Sequence, residues 1–303
     1  MTRVAFIGLG NMGSGMAANQ AKAGREVVAF DLNTEAVARA KEQGMSGAAS
    51  AAEAVKDADV VITMLPAGPH VQSVYLEAIL PNARKDALLI DCSTIDVDSA
   101  RTVARDASMQ GFRAADAPVS GGTAAAQGGT LTFMVGCREQ DFADFEEALK
   151  PMAKAIIHAG SSGAGQAAKI CNNMLLGISM IGTCEAFTLA ERLGLDAQKF
   201  FDIASKASGQ CWSLTSYCPW PGPVPAAPSN RDYEGGFAAA MMLKDLTLAQ
   251  DAAESIGAST PLGGGAEALY KELVARGYGQ KDFSMILEML RGRLSEGARP
   301  ATQ

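Results

Sequence analysis

The chain has 303 residues, of which 48% are hydrophobic and 19% charged, a composition typical of a folded protein large enough for two domains. Its formal net charge of -7 argues against nucleic acid as a partner, because phosphate binding needs a basic surface. Its six cysteines include no CxxC pair, which predicts reduced thiols in a cytoplasm and not a disulfide framework.

The first half of the chain alternates short β-branched runs with helical patterns. Strands are predicted at 3–8, 26–31, 59–65, 87–92, 130–136 and 155–160. Helices are predicted between them, among others at 12–23, 34–43, 97–109 and 140–152. Because the runs are apolar throughout and alternate with helices, we expect βαβ units and a largely parallel, doubly wound sheet that is covered on both faces.

The pattern becomes helical after residue 165. A long apolar helix is predicted at 166–193, and shorter ones at 197–207, 238–255, 264–275 and 283–290. A helix this apolar needs cover on nearly every side, which predicts a domain interface or a contact between subunits of a homodimer or homotetramer. We therefore expect an α/β domain over 1–162 and an all-α domain over 163–303.

One segment, 217–236, fits neither pattern because its five prolines exclude a helix. It carries Trp220 and Tyr233, and two interpretations stay open. It is either a surface connection or a flap that covers the substrate.

Other classes of protein are excluded by what the sequence lacks. No run reaches the about 18 consecutive apolar residues that a bilayer requires. A strand pattern begins at Arg3 with no leader before it, so we expect a cytoplasmic protein without a membrane segment. His70 and His158 are the two histidines, far apart in the sequence. They predict neither a metal site nor a histidine-based triad, and acid–base chemistry must fall to another residue type.

The first predicted strand runs into GLGNMGSG, a GxGxxG pattern that precedes a helix. Gly8 would allow the tight turn, Gly10 the approach of a pyrophosphate, and Gly13 close packing of the helix on the sheet. With Asn11 and Met12 between these glycines, the helix N-terminus offers amide donors to phosphate. The pattern predicts a Rossmann-type dinucleotide-binding domain; the alternative is a glycine-rich turn without a ligand.

The ends of three further strands extend this predicted cofactor site. Asp31 ends the second strand, where a carboxylate would accept hydrogen bonds from a ribose diol and repel a 2′-phosphate. No arginine follows it until Arg39, so NAD is favoured over NADP. Leu65 and Pro66 end the third strand and Thr94 follows the fourth, where ligands of doubly wound sheets bind.

Four motifs in order match one family: GLGNMGSGMA (8–17), DAPVSGG (116–122), GAGQAAKICNN (163–173) and KDLTLAQD (244–251). The sequence resembles the β-hydroxyacid dehydrogenase family from Arg3 to about residue 290. The resemblance implies a small 3-hydroxy acid as substrate and NAD as hydride acceptor. Two further segments, GISMIGTCEAFTLAERLGLD and the YEGGF that ends the proline-rich stretch, resemble the members that act on 3-hydroxyisobutyrate.

The resemblance also implies a role for individual residues. Lys169 is implied as the catalytic acid–base and Asn173 as the amide that orients the substrate, although Asn172 lies beside it. Lys244 is implied near the nicotinamide. Further substrate contacts are implied at Ser120, Gly121, Gly122, Trp212, Phe237 and Asp245.

Simple chemistry supports the assignment of Lys169. Proton transfer must accompany hydride transfer, and without a histidine a lysine is a reasonable donor. Its apolar neighbours Ala168 and Ile170 would lower its pKa toward the working range by burial. Gln166, Lys169 and Asn173 share one helical face by their spacing.

The alternatives to these roles are structural. The aliphatic part of Lys169 could cover apolar surface while its ammonium reaches solvent. DAPVSGG could be only a turn after a strand, and Lys244–Asp245 only a solvated charged pair.

Three functions follow, in order of preference. The first is NAD-dependent oxidation of 3-hydroxyisobutyrate to methylmalonate semialdehyde, as in valine breakdown. The second is reduction of tartronate or succinate semialdehyde by the same lysine. The third is an NAD-binding interaction protein that has lost catalysis.

Overall fold

The first half of the chain forms one nine-stranded sheet in the computed structural model, which describes residues 2–294. The strands are β1 (Arg3–Ile7), β2 (Glu26–Phe30), β3 (Ser46–Gly47), β4 (Val60–Thr63), β5 (Leu88–Asp91), β6 (Arg113–Asp116), β7 (Val119–Ser120), β8 (Leu131–Gly136) and β9 (Ala153–Gly160). Their spatial order is β3-β2-β1-β4-β5-β6-β8-β7, with β9 paired to β8. The pairings from β3 through β6 are parallel, and β8 turns antiparallel to β6 and β7.

This topology confirms the predicted doubly wound sheet of the Rossmann type. The order of the strands reverses at β1, so the carboxyl ends of β1 and β4 flank the switch point where dinucleotides bind. Both faces are buried, because Val4 and Phe6 point into one apolar core while Ala5 and Ile7 point into another. That is why the middles of these strands are continuously apolar instead of alternating.

Helices cover the two faces of this sheet. They are α1 (Gly13–Lys22), α2 (Thr34–Glu42), α3 (Ala51–Val55), α4 (Gly68–Val74), α5 (Leu80–Asn82), α6 (Val97–Met109), α7 (Gly122–Gly128) and α8 (Phe142–Leu149). The helix predicted at 140–152 is an α-helix only in its middle, because a 3₁₀ turn precedes it and another follows it. Strands β3, β6 and β7 and the short helices α3, α4, α5 and α7 were not among the predicted elements.

The second unit of the chain begins at Ile170, within a helix that starts in the first unit. Its helices are α9 (Ala164–Arg192), α10 (Ala197–Ala204), α11 (Trp212–Thr215), α12 (Ala239–Ser255), α13 (Pro261–Leu273) and α14 (Ile286–Leu290). Among residues 170–294, β pairing is confined to one bridge between Ala238 and Asp282, which agrees with the predicted all-α character. The end of the predicted domain, 295–303, lies outside the described residues.

Helix α9 agrees with the long helix predicted at 166–193. By length and composition alone it is apolar enough to cross a membrane, a test that core helices of globular proteins also pass. The expectation that no segment spans a bilayer therefore stays a prediction.

The proline-rich segment 217–236 is anchored to the helical core of the second unit. Trp220 stacks on Phe187 of α9 with ring centroids 5.6 Å apart, and the guanidinium of Arg291 lies 4.1 Å from the centroid of the Trp220 ring. The Tyr233 hydroxyl donates to the Pro219 carbonyl at 3.1 Å. The segment is thus a packed connection at these points, because its aromatic side chains contribute to the apolar core.

Candidate active site

Each of the three glycines of the GxGxxG loop has a different structural role. Gly8 has φ +97°, and a Cβ there would lie 2.2 Å from the Met64 carbonyl oxygen. A Cβ on Gly13 would lie 2.0 Å from the Gly8 carbonyl oxygen. A Cβ on Gly10 would meet nothing within 4 Å. The fold itself therefore demands Gly8 and Gly13, whereas Gly10 leaves open space of the kind a pyrophosphate needs.

Asp31 closes this loop from the end of β2. One carboxylate oxygen accepts a hydrogen bond from the Leu9 amide at 2.6 Å, and the other accepts one from the Asn33 amide at 2.7 Å. A cavity of about 610 Å³ opens beside the carboxylate, and its walls include Gly10, Asn11, Asp31, Arg39, Thr123 and Gln127. The size of the cavity and its open glycine wall fit the adenosine and pyrophosphate of a dinucleotide.

The strand ends predicted for the cofactor form a hydrogen-bonded edge. The Leu65 amide donates to the Ser93 hydroxyl at 2.8 Å, and that hydroxyl donates to Asp91 at the end of β5 at 2.6 Å. Pro66 and Thr94 follow these two residues in the chain. The carboxyl ends of β4 and β5 are therefore joined at the edge that was predicted to bind the cofactor.

The DAPVSGG motif lies between β6 and α7. Ser120 ends β7, and Gly121 and Gly122 have φ values of +135° and +72°. A Cβ on Gly121 would come within 2.6 Å of the Ala125 Cβ, while one on Gly122 would meet nothing within 4 Å. The chain turns here in a conformation that glycine adopts readily, and Gly122 leaves its backbone open.

Helix α7 connects this turn to the nucleotide loop, a link that is not predicted from the sequence. A Cβ on Gly15 of α1 would lie 2.9 Å from the Ala126 carbonyl carbon, so the two helices touch through their backbones. The Asn19 amide of α1 donates to the Ala126 carbonyl at 2.7 Å. The turn at Ser120 and the phosphate loop are thereby held in fixed relation. Gly15, inside GLGNMGSGMA, was the available sequence signal.

Lys169 is buried, with 7% of its surface exposed. It lies in the second turn of α9, whose first turn is fixed to the sheet by Asp116 and Gln166. This burial argues against the alternative in which the side chain extends to solvent.

Asp116, the last residue of β6, caps the N-terminus of α9. Its two carboxylate oxygens accept hydrogen bonds from the Gly163 amide at 2.6 Å and the Gln166 amide at 2.9 Å. Burial nevertheless raises the pKa of Asp116 from 3.8 to about 6, because the cost of desolvating the charge exceeds the gain from these bonds.

The raised pKa of Asp116 predicts a pH-dependent stability. A carboxyl group with a raised folded-state pKa contributes stability below its unfolded pKa of 3.8, and this contribution is lost as the pH rises through about 6. The loss amounts to about 3 kcal/mol, at about 1.4 kcal/mol per pKa unit. Urea unfolding of the wild type and Asp116→Asn at pH 4 and pH 7.5 measures it. We expect the wild type to weaken relative to the variant at the higher pH; a difference independent of pH would contradict the assignment.

Asn173 and Asp245 meet inside the helical unit. The Asn173 amide donates to the Asp245 carboxylate at 2.5 Å, and both side chains are 2% exposed. The exposed Asn172 donates to the Asn173 side-chain oxygen at 3.0 Å. Residues of two distant motifs are thus brought together, and Asn173 is the amide of the pair that is buried. Lys244 precedes Asp245 on α12 and is half-buried.

Trp212 and Phe237 are connected through a second buried carboxylate. Trp212, 52% exposed, stacks on Tyr217 with centroids 4.9 Å apart. The Tyr217 hydroxyl donates to Asp282 at 2.7 Å, and the Phe237 amide donates to the same oxygen at 2.8 Å. Burial of Asp282 raises its pKa despite these bonds. The two aromatic residues are among those predicted from the sequence, whereas Asp282, which holds them, is not.

Neither histidine is placed for acid–base chemistry. The His158 ring packs on Phe142 with centroids 5.0 Å apart, and its Nε2 lies 3.1 Å from the Cys137 carbonyl oxygen. His70 is exposed on α4. Within residues 2–294, no group of three or more histidine, cysteine, aspartate or glutamate side chains is placed to hold a metal ion.

Comparison with known proteins agrees with this geometry. Residues 3–160 match the family model described as the NAD binding domain of 6-phosphogluconate dehydrogenase. Residues 163–290 match the one described as NAD-binding of NADP-dependent 3-hydroxyisobutyrate dehydrogenase. A 3-hydroxyisobutyrate dehydrogenase from Pseudomonas aeruginosa is 48% identical over 97% of this chain and 100% of its own length. The chain belongs to the β-hydroxyacid dehydrogenase family.

Two further relatives bear on the substrate. An NAD-dependent L-serine dehydrogenase from Pseudomonas aeruginosa is 47% identical over 95% of this chain and 98% of its own length. The structure of a 3-hydroxyisobutyrate dehydrogenase from Mycobacterium tuberculosis, described with L-serine, matches with a TM-score of 0.93. It is 48% identical and covers 96% of this chain and 99% of its own.

The family and the α/β unit together establish the cofactor and the class of enzyme. The protein binds NAD through its Rossmann domain and is an oxidoreductase that acts on CH–OH groups. The cradle formed by Gly10 and the cavity beside Asp31 fit this cofactor.

Proposed function

We propose that the protein oxidises 3-hydroxyisobutyrate to methylmalonate semialdehyde with NAD, as in valine breakdown. The observation that carries the proposal is the buried Lys169, whose helix is fixed to the carboxyl ends of the strands. Two relatives named above as 3-hydroxyisobutyrate dehydrogenases, each 48% identical to this chain, support the choice of substrate.

Bound NAD supplies a hydride acceptor at its nicotinamide. In the proposed step the C–H bond of the hydroxyl-bearing carbon gives up a hydride, and the neutral Lys169 amine takes the hydroxyl proton, so that a carbonyl forms. In the reverse direction the Lys169 ammonium returns that proton. Asn173, held by Asp245, orients the reacting oxygen.

The other proposed roles follow the sequence assignments. Ser120, Gly121 and Gly122 bind the substrate carboxylate, because a hydroxyl and the backbone amides of a glycine turn that is open at Gly122 suit an anion. Substrate walls are assigned to Trp212 and Phe237. The cofactor contacts are assigned to Gly8, Gly10, Asn11, Met12, Gly13, Asp31, Leu65, Pro66, Thr94 and Lys244.

We further propose a cytoplasmic homodimer or homotetramer with domains at 1–162 and 163–303. The six cysteines are free thiols, which suits a reducing compartment. The outer face of α9 supports self-association, because Leu175 is 63% and Leu189 60% exposed on it. Sedimentation velocity separates monomer, dimer and tetramer.

L-serine is a second candidate substrate. It shares the primary hydroxyl, the α-carbon and the carboxylate with 3-hydroxyisobutyrate, and it carries an α-ammonium where that acid has a methyl group. A 47% identical relative with that activity makes the comparison necessary.

Initial rates on four hydroxy acids test the proposal. We expect kcat/KM with NAD to be highest on 3-hydroxyisobutyrate, by at least about tenfold over L-serine, since one polar group in an unmatched pocket costs about that much or more. Glycerate and 4-hydroxybutyrate represent the tartronate and succinate semialdehyde reductases, and each substrate is paired with NAD and with NADP. A higher kcat/KM on any other acid would replace the proposed substrate with that one.

A further inference from the structure

Hydrogen bonds of the Asp116 and Gln166 side chains hold the first turn of α9 against the sheet, and the proposed reaction gives neither side chain a role. We propose that Asp116 and Gln166 are positioning residues that fix the place of Lys169 for proton transfer. This inference rests on the proposed function, because it takes Lys169 as the acid–base.

Asp116 fixes the end of the helix along its axis. Its two oxygens accept from the amides of Gly163 and Gln166, on either side of the point where α9 begins. These are amides that a helix leaves without an internal acceptor. Because Asp116 is itself the last residue of β6, the position of the helix end is set by the central sheet.

Helix α9 and the strands β6 and β8 are in direct backbone contact, with no room for a side chain between them. A Cβ on Gly165 would lie 2.3 Å from the Met134 carbonyl oxygen, and a Cβ on Gly136 would lie 2.4 Å from an oxygen of Asp116. Glycine at both positions lets the helix start directly against β6 and β8. Any other residue there would push the helix away from its cap.

Gln166 fixes the rotation of the helix. Its side-chain nitrogen donates to the Ser93 carbonyl at 2.7 Å, and its side-chain oxygen accepts from the Ile95 amide at 3.2 Å. The side chain is fully buried. Residues three apart lie on one helical face. The bonds from Gln166 to Ser93 and Ile95, in the segment that follows β5, therefore also set the direction in which the Lys169 side chain projects from α9. Asp116 fixes the position of the helix along its axis, and Gln166 fixes its rotation about that axis.

Asp116→Asn tests the cap with little change in volume. It replaces one acceptor oxygen by an amide nitrogen, so one of the two helix amides loses its partner. We expect kcat to fall by about 10- to 100-fold, the usual cost of a small misplacement of a reacting group. We expect the Kd for NADH, measured by fluorescence, to change by less than about twofold, because a change confined to the transition state leaves cofactor binding intact. Amide exchange over 163–169 should become faster.

A pH profile separates positioning from general damage. Protonated Asp116 loses acceptor capacity, as the asparagine does. In aldehyde reduction, where Lys169 must be protonated, the wild-type kcat should therefore fall below about pH 6 toward the level of Asp116→Asn. The kcat of Asp116→Asn should show no such fall below about pH 6. Asp91 at the end of β5 and Cys137 after β8 are titratable groups that interact with Asp116, and both remain in the variant.

Gln166→Glu and Asp196→Asn complete the set. The glutamate keeps an acceptor for the Ile95 amide and loses the donor to Ser93, so kcat should fall without a change in NADH affinity. Asp196 caps α10, where its carboxylate accepts from the Lys199 amide at 3.0 Å. That helix carries no residue with a proposed role, so the matched Asp196→Asn should keep wild-type kcat.

The decisive measurement combines Asp116→Asn with Lys169→Ala. If Asp116 acts through Lys169, adding Asp116→Asn to the Lys169→Ala variant should change its residual turnover by less than about twofold. An equal loss in both backgrounds, or an unchanged kcat and unchanged amide exchange in Asp116→Asn, would overturn the positioning role. Normal turnover of Lys169→Ala would instead overturn the proposed function itself.

Discussion

Lys169→Ala is expected to lower turnover on 3-hydroxyisobutyrate by about 10²–10⁴-fold, the range that general acid–base groups supply. The side chain is buried on a helix end fixed to the sheet, so another group does not easily take its place. The Kd for NADH should change little, since the phosphate loop and Asp31 lie on other elements. Single-turnover kinetics and NADH fluorescence measure the two quantities separately.

Lys169→Arg distinguishes proton transfer from simple electrostatic stabilisation. Arginine keeps the positive charge but does not release its proton in the working range, so its turnover should be as low as that of the alanine variant. Lys271→Ala, at an exposed lysine in the last turn of α13, is the matched control and should keep wild-type turnover. Near-normal activity in Lys169→Arg would show that the charge alone is sufficient, and near-normal activity in Lys169→Ala would exclude the mechanism.

The sequence predicts well what depends on local pattern. Strands such as RVAFI and VVIT are apolar at all but one position, and this pattern reflects their burial on both faces of the sheet. Strand β6, RAAD, was missed because it has no β-branched residue and is half-exposed at its start. It pairs in the sheet because β5 lies beside it, and that is information from the tertiary structure.

The site shows the same division between local and distant information. Lys169 and Asn173 are found from one motif because a helix places them on one face. Their supports are distant in the chain: Asp116 holds amides 47 and 50 residues later, and Asn173 meets Asp245 across 72 residues. No local period in the sequence encodes such pairings. Asp245 was predicted only through the resemblance to a known family. The role of Asp116 as a cap required the structure.

The glycine loop gives the second large prediction, because three residues that are equivalent in the motif differ in the structure. Gly10→Ala adds a methyl group that meets no protein atom within 4 Å, so the free energy of unfolding should stay within about 1 kcal/mol of wild type. The same methyl group occupies space that the motif keeps open for the pyrophosphate. The Kd for NADH should therefore rise by about tenfold or more, or about 1.4 kcal/mol.

Gly13→Ala should instead lower both stability and cofactor affinity. Its Cβ would lie 2.0 Å from the Gly8 carbonyl oxygen, a backbone atom that moves only if the loop or α1 moves. We expect a loss of about 2–4 kcal/mol in the free energy of unfolding, within the range of strained or overpacked sites. Gly265→Ala, inside α13 with nothing within 4 Å of its Cβ, is the control that should change neither NADH affinity nor fold. Unaltered NADH affinity in Gly10→Ala would contradict the assignment of this loop to the pyrophosphate. Equal destabilisation by Gly10→Ala and Gly13→Ala would mean that the motif serves the fold alone.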